Sequence, residues 1–187
     1  MAPPEAADGL ADLVNLAELT GLPPIISHGA RTLILGSFPS PASLAAGQYY
    51  GHPRNQFWSI LGAVIGVRLA DIDYAGRQRA LIDAGVAVWD VYRRCRREGS
   101  LDAAIRDASA NDFSSLQRLA PRLALVCFNG QTAGRFAPRL AALGYRTAIL
   151  PSTSPAYTLA IERKLSAWRA ALESQSSGRP AWGEPSS

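Results

Sequence analysis

Hydrophobic and polar positions along the chain fall into two regimes. Short, nearly unbroken apolar runs occur at Thr32-Leu33-Ile34-Leu35-Gly36, Val86-Ala87-Val88-Trp89, Leu123 to Phe128 and Thr147 to Leu150. Runs of this length have the character of strands buried on both faces. Between them, apolar residues recur at helical spacing from Leu10 to Leu19, Phe57 to Ile65, Tyr74 to Ala84, Asp112 to Leu119, Thr132 to Leu143 and Tyr157 to Leu172. Strand, crossover and strand in that order predict an α/β fold, a three-layer αβα sandwich with a mostly parallel central sheet of about four strands.

Ligands bind outside the carboxyl ends of the strands in such sheets, where the connecting loops gather. The chemistry is therefore expected in Gly36-Ser37-Phe38-Pro39-Ser40, Asp90-Val91-Tyr92, Asn129-Gly130-Gln131 and Pro151-Ser152-Thr153-Ser154-Pro155. Composition fits one soluble domain: 187 residues, 48% of them hydrophobic and 18% charged, with no internal repeat and no linker that divides the chain. Residues 1–173 are expected to form that domain, and the Ser-, Gly- and Pro-rich stretch 174–187 a mobile tail.

Charge narrows the partners. Lys and Arg exceed Asp and Glu by 19 to 15, and the pI near 9.4 favours anionic partners, which permits nucleic acid without demonstrating it. The opening Met-Ala-Pro-Pro-Glu-Ala-Ala-Asp has acids where a secretory signal has basic residues, and no apolar run approaches membrane-spanning length. A cytoplasmic monomer without membrane contact is the expectation.

Two cysteines, Cys95 and Cys127, and two histidines, His28 and His52, are scattered singly, so no metal site or other cofactor is expected. Cys127, inside Leu-Ala-Leu-Val-Cys-Phe, reads as a small buried core residue. The familiar nucleotide loops are missing: Gly36-Ser37-Phe38-Pro39 lacks the further glycines of a dinucleotide fingerprint and the second glycine of a serine-hydrolase elbow, and no stretch matches the phosphate loop that ends in Lys-Ser/Thr.

The densest chemistry lies in Gln48-Tyr49-Tyr50-Gly51-His52-Pro53-Arg54-Asn55-Gln56-Phe57-Trp58, which crowds aromatics, amides, a cation and a histidine into one loop leading to a helix. The composition suits a binding loop for a flat, hydrogen-bonding ligand. Phe57 and Trp58 read equally as core residues at the helix start, whereas Tyr50, His52 and Asn55 carry polar groups that need partners if buried.

From Leu33 to Trp58 the chain resembles the uracil-DNA glycosylase superfamily, especially its hypoxanthine-DNA glycosylase branch. The resemblance rests on Leu-Ile-Leu-Gly-Ser-Phe-Pro-Ser followed by Gln-Tyr-Tyr-Gly-His-Pro-Arg-Asn-Gln-Phe-Trp, the order also found in mismatch-specific uracil-DNA glycosylases. Trp89-Asp90-Val91 and Arg97-Glu98-Gly99-Ser100-Leu101-Asp102 resemble the hypoxanthine branch as well, and Leu150-Pro151-Ser152-Thr153-Ser154-Pro155-Ala156 falls where the superfamily has its second catalytic loop. The likeness spans about residues 30 to 170.

The resemblance implies an enzyme that extrudes a damaged nucleotide into a pocket and hydrolyses its N-glycosidic bond. It places Gly36, Ser37 and Phe38 in the first catalytic loop, where Phe38 stands in place of the usual water-positioning Asn or Asp. Asn55 is the expected replacement, fixing a water through its carbonyl oxygen, and it could equally cap the following helix. Tyr50 matches the aromatic platform for the flipped base, the alternative being a buried ring whose hydroxyl finds a backbone partner. His52 belongs to the same binding loop.

Asn129 is the expected reader of the base edge, since an amide matches the carbonyl and adjacent N–H shared by hypoxanthine and uracil; a turn residue before Gly130 is the other reading. Ser152, Thr153 and Ser154 are expected to grip a phosphate, with Ala156 in the wedge position and Tyr157 able to fill the gap left by the flipped base. A cap by Ser154 with Pro155 in the first helical turn is compatible with that role. The run Arg93-Arg94-Cys95-Arg96-Arg97 is either a DNA-backbone contact, through Arg93 and Arg94 first, or a solvated face. Lys164, in a helical stretch with Glu162 and Arg163, reads as solvated surface.

The expected function is removal of hypoxanthine, with uracil as a second candidate, from DNA by monofunctional hydrolysis. The competing expectation is a protein that keeps the fold and binds damaged DNA but is catalytically weak or inactive, for which Phe38 speaks. A hydrolase of a small nucleoside or ester is a third.

Overall fold

A computed structural model describes residues 16–173. Four strands form one parallel sheet: β2 (Thr32–Gly36), β3 (Val86–Asp90), β6 (Leu125–Asn129) and β7 (Arg146–Leu150), in the order β3-β2-β6-β7. Every residue of β2 and β3 is buried. Because successive strand side chains point to opposite faces, this burial requires cover on both sides of the sheet, which is the three-layer arrangement. The edge strand β7 is looser, and its Ile149 is exposed.

Helices α1 (Pro41–Ala46), α2 (Phe57–Ile65) and α3 (Tyr74–Asp83) fill the crossover from β2 to β3. Ser40 caps α1, its hydroxyl accepting from Ser43 N at 3.2 Å with Pro41 in the first turn, and Asp73 caps α3 by accepting from Gly76 N at 2.8 Å. Phe57 and Trp168 are fully buried and meet edge to face at 5.9 Å, which locks α2 against α7 (Ile161–Glu173). Cys127 is buried in the sheet and burial pushes its thiol up to about 12, the state of an inert core residue.

A second, antiparallel sheet was not visible in the hydrophobic pattern. It consists of β1 (Glu18–Thr20), β4 (Tyr92–Arg96) and β5 (Arg106–Ala110), in the order β1-β4-β5. Part of the helix expected over Leu10 to Leu19 is therefore strand, and its first residues lie outside the described ones, as does 174–187. The arginine run is the middle strand: Cys95 faces the core, Arg94 meets Glu18 across the sheet at 3.6 Å, and Arg96 lies 3.9 Å from Asp107.

Three helix expectations are also corrected. Thr132 to Leu143 breaks into α5 (Gln131–Gly134) and α6 (Ala137–Ala142), because Pro138 has no N–H to continue the first helix and suits the first turn of the second. The stretch from Asp112 to Leu119 is a 3₁₀ turn followed by the short α4 (Leu116–Leu119). The last helix starts at Ile161 rather than Tyr157, so Ser154 and Pro155 belong to a loop and turn instead of a helix cap.

From β2 the chain goes to β3 on one side and later to β6 on the other, so the strand order reverses between β2 and β6. A crevice at the carboxyl ends of these strands is where such sheets bind ligands. Gly36 and Asp90 are neighbours in register there, and Asn129 pairs with Leu150.

Candidate active site

A cleft of about 330 Å³ opens at that switch point, large enough for a small ligand. Gly36, Ser37, Phe38, Tyr50, Asn55, Asn129, Ser152, Thr153, Ser154, Ala156 and Tyr157 all line it. Thus most of the expected site residues meet there, although they come from four separate loops.

Thr153 is the hub. It is fully buried, and its N–H donates to Asn129 Oδ1 at 2.9 Å while its carbonyl accepts from Gln56 N at 3.0 Å. Its hydroxyl accepts from Asn129 Nδ2 at 2.9 Å and donates to Asn55 Oδ1 at 2.9 Å. Asn129 Nδ2 also donates to Tyr50 Oη at 3.1 Å. A backbone N–H can only donate, so Thr153 N fixes which end of the Asn129 amide is oxygen and, through the hydroxyl, the direction of the chain.

This network changes the expected roles of two amides. Asn129 commits both N–H groups and one lone pair to Tyr50 and Thr153, so it joins the Tyr50 and Thr153 loops instead of presenting a free amide to a base. Asn55 Oδ1 accepts from Phe57 N at 3.0 Å as well as from Thr153. The carbonyl oxygen expected to hold a water is thus occupied, and among the described residues Nδ2 is the end of Asn55 left without a partner. The capping role expected for Asn55 is present in the bond to Phe57 N.

Tyr50 has φ 52°, a left-handed conformation costly for a residue with a side chain. Its ring lies on Phe57 with centroids 3.7 Å apart and planes 13° from parallel. Burial and the nearby Asp90 carboxylate raise its phenol well above the ordinary value, so it stays neutral.

The first loop is held from outside. Val91 N donates to Gly36 O at 2.8 Å and Tyr92 N to Ser37 O at 3.1 Å, while Ser37 Oγ donates to Asp102 Oδ1 at 2.6 Å. Phe38 is buried, with the Arg97 guanidinium 5.3 Å from its ring centre and Arg97 Nη2 donating to Pro39 O at 2.6 Å. Phe38 packs this loop and offers no polar atom to a water.

Three of the expected contact residues lie outside the cleft lining, and one residue expected at the surface is buried. His52 does not line the cleft; its Nδ1 accepts from Arg54 N at 3.1 Å within the loop. Arg93 and Arg94 lie on the second sheet, away from the cleft lining, with Arg93 exposed and Arg94 facing Glu18. Lys164 is buried rather than solvated: Nζ donates to Tyr157 O at 2.7 Å and to Gln56 Oε1 at 2.9 Å, tying the two cleft loops together. Desolvation lowers its pKa. Tyr157 itself is exposed at the cleft rim, its ring 5.3 Å from that ammonium.

Asp90 and Asp102 line the cleft and were not among the expected site residues. Asp90 is buried at the end of β3, and burial, reinforced by Asp102 and opposed by Arg97, pushes its carboxyl up to about 7. A carboxylate closing a buried parallel strand, where ligands bind in this class of sheet, was the signal available in the sequence.

The chain is thus an α/β protein with a ligand cleft at the switch point of its parallel sheet, walled by an aromatic ring and fixed amides. A family model for the Uracil DNA glycosylase superfamily matches residues 23–174, and the chain belongs to that superfamily. It is 43% identical over 153 residues to the hypoxanthine DNA glycosylase of Methanosarcina barkeri, covering 82% of this chain and 97% of that protein. It is 41% identical over 150 residues to the hypoxanthine DNA glycosylase of Methanosarcina acetivorans, covering 80% and 95%. The solution NMR structure of a Methanosarcina acetivorans protein assigned to the uracil DNA glycosylases has the same fold, with a TM-score of 0.78 and 39% identity over 84% of this chain and 98% of that one. Among the described residues no helix is long and apolar enough to cross a membrane.

Proposed function

We infer that this member of the superfamily is a DNA repair glycosylase that flips a deaminated base, hypoxanthine first, out of the strand and hydrolyses its N-glycosidic bond to leave an abasic site. The observation that carries the reading is the convergence of the Tyr50 ring and the free Asn55 amide N–H in one cleft, both fixed through Thr153 or Asn129. The two relatives named hypoxanthine DNA glycosylase support hypoxanthine as the lesion.

A base inside stacked DNA is out of reach, so extrusion comes first, at a cost of a few kcal/mol that is smallest for a mispaired base. Tyr50, backed by Phe57, offers the stacking platform. The hydroxyls of Ser152 and Ser154 face the strand from a loop whose own N–H groups hold it in shape, and exposed Tyr157, anchored through its carbonyl by Lys164, fills the space the base vacates. Arg93 adds sequence-independent attraction to the backbone.

Cleavage places positive charge on the sugar and negative charge on the departing base, as in other glycoside hydrolyses. Donors fixed before the reaction stabilise that charge without reorganising, which suits a site whose first loop carries Phe38 in place of a polar residue. Asn55 Nδ2 is such a donor, directed at the base or at the attacking water.

The test is single-turnover release of base from oligonucleotides carrying one hypoxanthine or one uracil, with alkali revealing abasic sites and Asn55→Ala alongside. Release of hypoxanthine by the wild type and its loss in a folded Asn55→Ala are expected. Tight binding to the damaged strand with no abasic product would replace this reading with that of a damaged-DNA-binding protein.

A further inference from the structure

Asn129 is engaged within the protein, yet the cleft holds another group able to meet a base edge. Asp90 closes β3 in register with Gly36, and among the described residues its buried Oδ2 has no hydrogen-bond partner. A Cβ on Gly36 would collide with Asp90 Oδ1 and come within 3.1 Å of Tyr50 Oη. The missing side chain leaves room for the carboxyl beside the ring proposed to carry the base. A buried polar atom without a partner is rare, and because Asp90 lines the cleft, a bound ligand is the natural partner for its carboxyl.

We propose that Asp90, as a neutral carboxylic acid, reads the lactam edge of the flipped base and stabilises that base as it leaves. The inference rests on the glycosylase reading above and assigns the recognition within it. A neutral carboxyl presents one O–H donor beside one carbonyl acceptor. That pair complements C6=O and N1–H of hypoxanthine, and equally O4 and N3–H of uracil.

As the C1′–N9 bond of deoxyinosine breaks, its electron pair goes to the purine and part of the charge reaches O6, where the Asp90 O–H strengthens its bond. Water oxygen bonds to C1′, one water proton ends on a purine nitrogen, and Asp90 finishes with the proton it started with. The ionised form behaves differently. A carboxylate offers two acceptors, which suit N1–H and the 2-amino group of guanine and leave O6 of hypoxanthine without a donor. Keeping Asp90 neutral therefore supplies the donor that O6 of hypoxanthine needs and removes the preference for guanine that a carboxylate would carry.

The groups around Asp90 fit this state. Asp102, from the 3₁₀ turn after β4, opposes its ionisation, Arg97 favours ionisation, and the neutral phenols of Tyr49 and Tyr50 face it from the loop before α2. Desolvation outweighs Arg97 and holds the carboxyl up to about 7.

The experiment compares wild type, Asp90→Asn and Asp90→Ala in single-turnover release of hypoxanthine from about pH 5.5 to about pH 9. Binding to a duplex with a non-hydrolysable 2′-fluoro analogue of deoxyinosine and thermal unfolding are measured in parallel. The wild-type rate is expected to fall on the alkaline side of neutrality. Asp90→Asn, which keeps one donor and one acceptor and cannot ionise, retains activity within about tenfold at acid pH and loses the alkaline fall. Asp90→Ala loses about a hundredfold in rate and binds the analogue more weakly.

A folded Asp90→Ala with the wild-type rate overturns the proposal, as does an Asp90→Asn that keeps the alkaline fall or is as slow as Asp90→Ala. Those results leave the wild type an active glycosylase and remove only the role of Asp90. A wild type that releases no hypoxanthine overturns the glycosylase reading and this inference with it.

Discussion

Thr153 Oγ1 lies 2.9 Å from Asn55 Oδ1, joining residues 98 positions apart in the chain. The bond sets the orientation of the Asn55 amide, because a carbonyl oxygen that accepts from both Thr153 and Phe57 N leaves only the amino end for a ligand. Asn55 Nδ2, the donor proposed above, is thus aimed by the loop that carries Thr153.

Thr153→Val keeps the shape of that side chain and removes the hydroxyl. It leaves Asn129 Nδ2 and Asn55 Oδ1 with one partner fewer each, so a stability loss of about 1–3 kcal/mol in urea unfolding is expected. Single-turnover release of hypoxanthine should slow by about tenfold or more, since the amide is no longer fixed in one orientation. Thr153→Ser, which restores the hydroxyl, should recover most of both. A Thr153→Val enzyme with the wild-type rate would show that Asn55 does not depend on this bond.

Asn55 carries two functions that substitution can separate. Asn55→Ala removes the oxygen bonded to Phe57 N and Thr153 as well as the free donor, so both stability and rate should drop, with the helix-start contribution near 1 kcal/mol. Asn55→Asp keeps an oxygen for those two donors and loses only Nδ2. It should fold as well as the wild type and still lose about a hundredfold in rate. Equal rates for Asn55→Asp and wild type would remove Nδ2 from the chemistry.

Much of the fold was legible because β2, β3 and β6 are buried on both faces and read as continuous apolar runs. The second sheet was hidden for the opposite reason: β4 is mostly arginine, and only the fold shows that Cys95 faces the core while Arg97 runs under the first loop. Lys164 was misread because an ammonium beside Arg163 and Glu162 has the pattern of a solvated face. Its acceptors, Gln56 Oε1 and Tyr157 O, are brought to it only by tertiary packing. The family motifs located the loops that build the cleft. They did not show that Asn129 is tied up within it or that a carboxyl stands free beside it.

Tyr50 should separate stacking from hydrogen bonding. Tyr50→Phe keeps a ring on Phe57 and loses the hydroxyl that accepts from Asn129 Nδ2. It should bind a lesion-bearing strand nearly as well as wild type. Tyr50→Ala removes the platform and should weaken that binding by about 1–3 kcal/mol, read as a rise in Kd in fluorescence anisotropy. Undamaged DNA, which presents no extruded base, should bind the two variants alike; a loss of affinity common to both strands would point to a disturbed loop instead.

Asp90 also makes folding depend on pH, in a direction opposite to the usual acid unfolding by paired carboxylates. In the unfolded chain its carboxyl titrates near 3.8, and in the folded protein burial pushes it up to about 7. Between these values the folded state holds the extra proton. Its contribution to stability is therefore fully present below about pH 4, declines as pH rises toward about 7, and is gone above that. The exposed Asp112, whose carboxyl is lowered by its bonds to Ser114, works in the opposite sense and only at the acid end, so it does not mask this slope. Asp90→Asn removes the buried charge that the wild type must carry at alkaline pH. The variant should match the wild type near pH 4 and exceed it by a few kcal/mol, on the order of 2–4, near pH 8. Urea unfolding at a series of pH values reads the difference directly. If the two proteins keep a constant gap across the range, Asp90 is ionised throughout in the folded state, and the cleft holds a carboxylate rather than an acid.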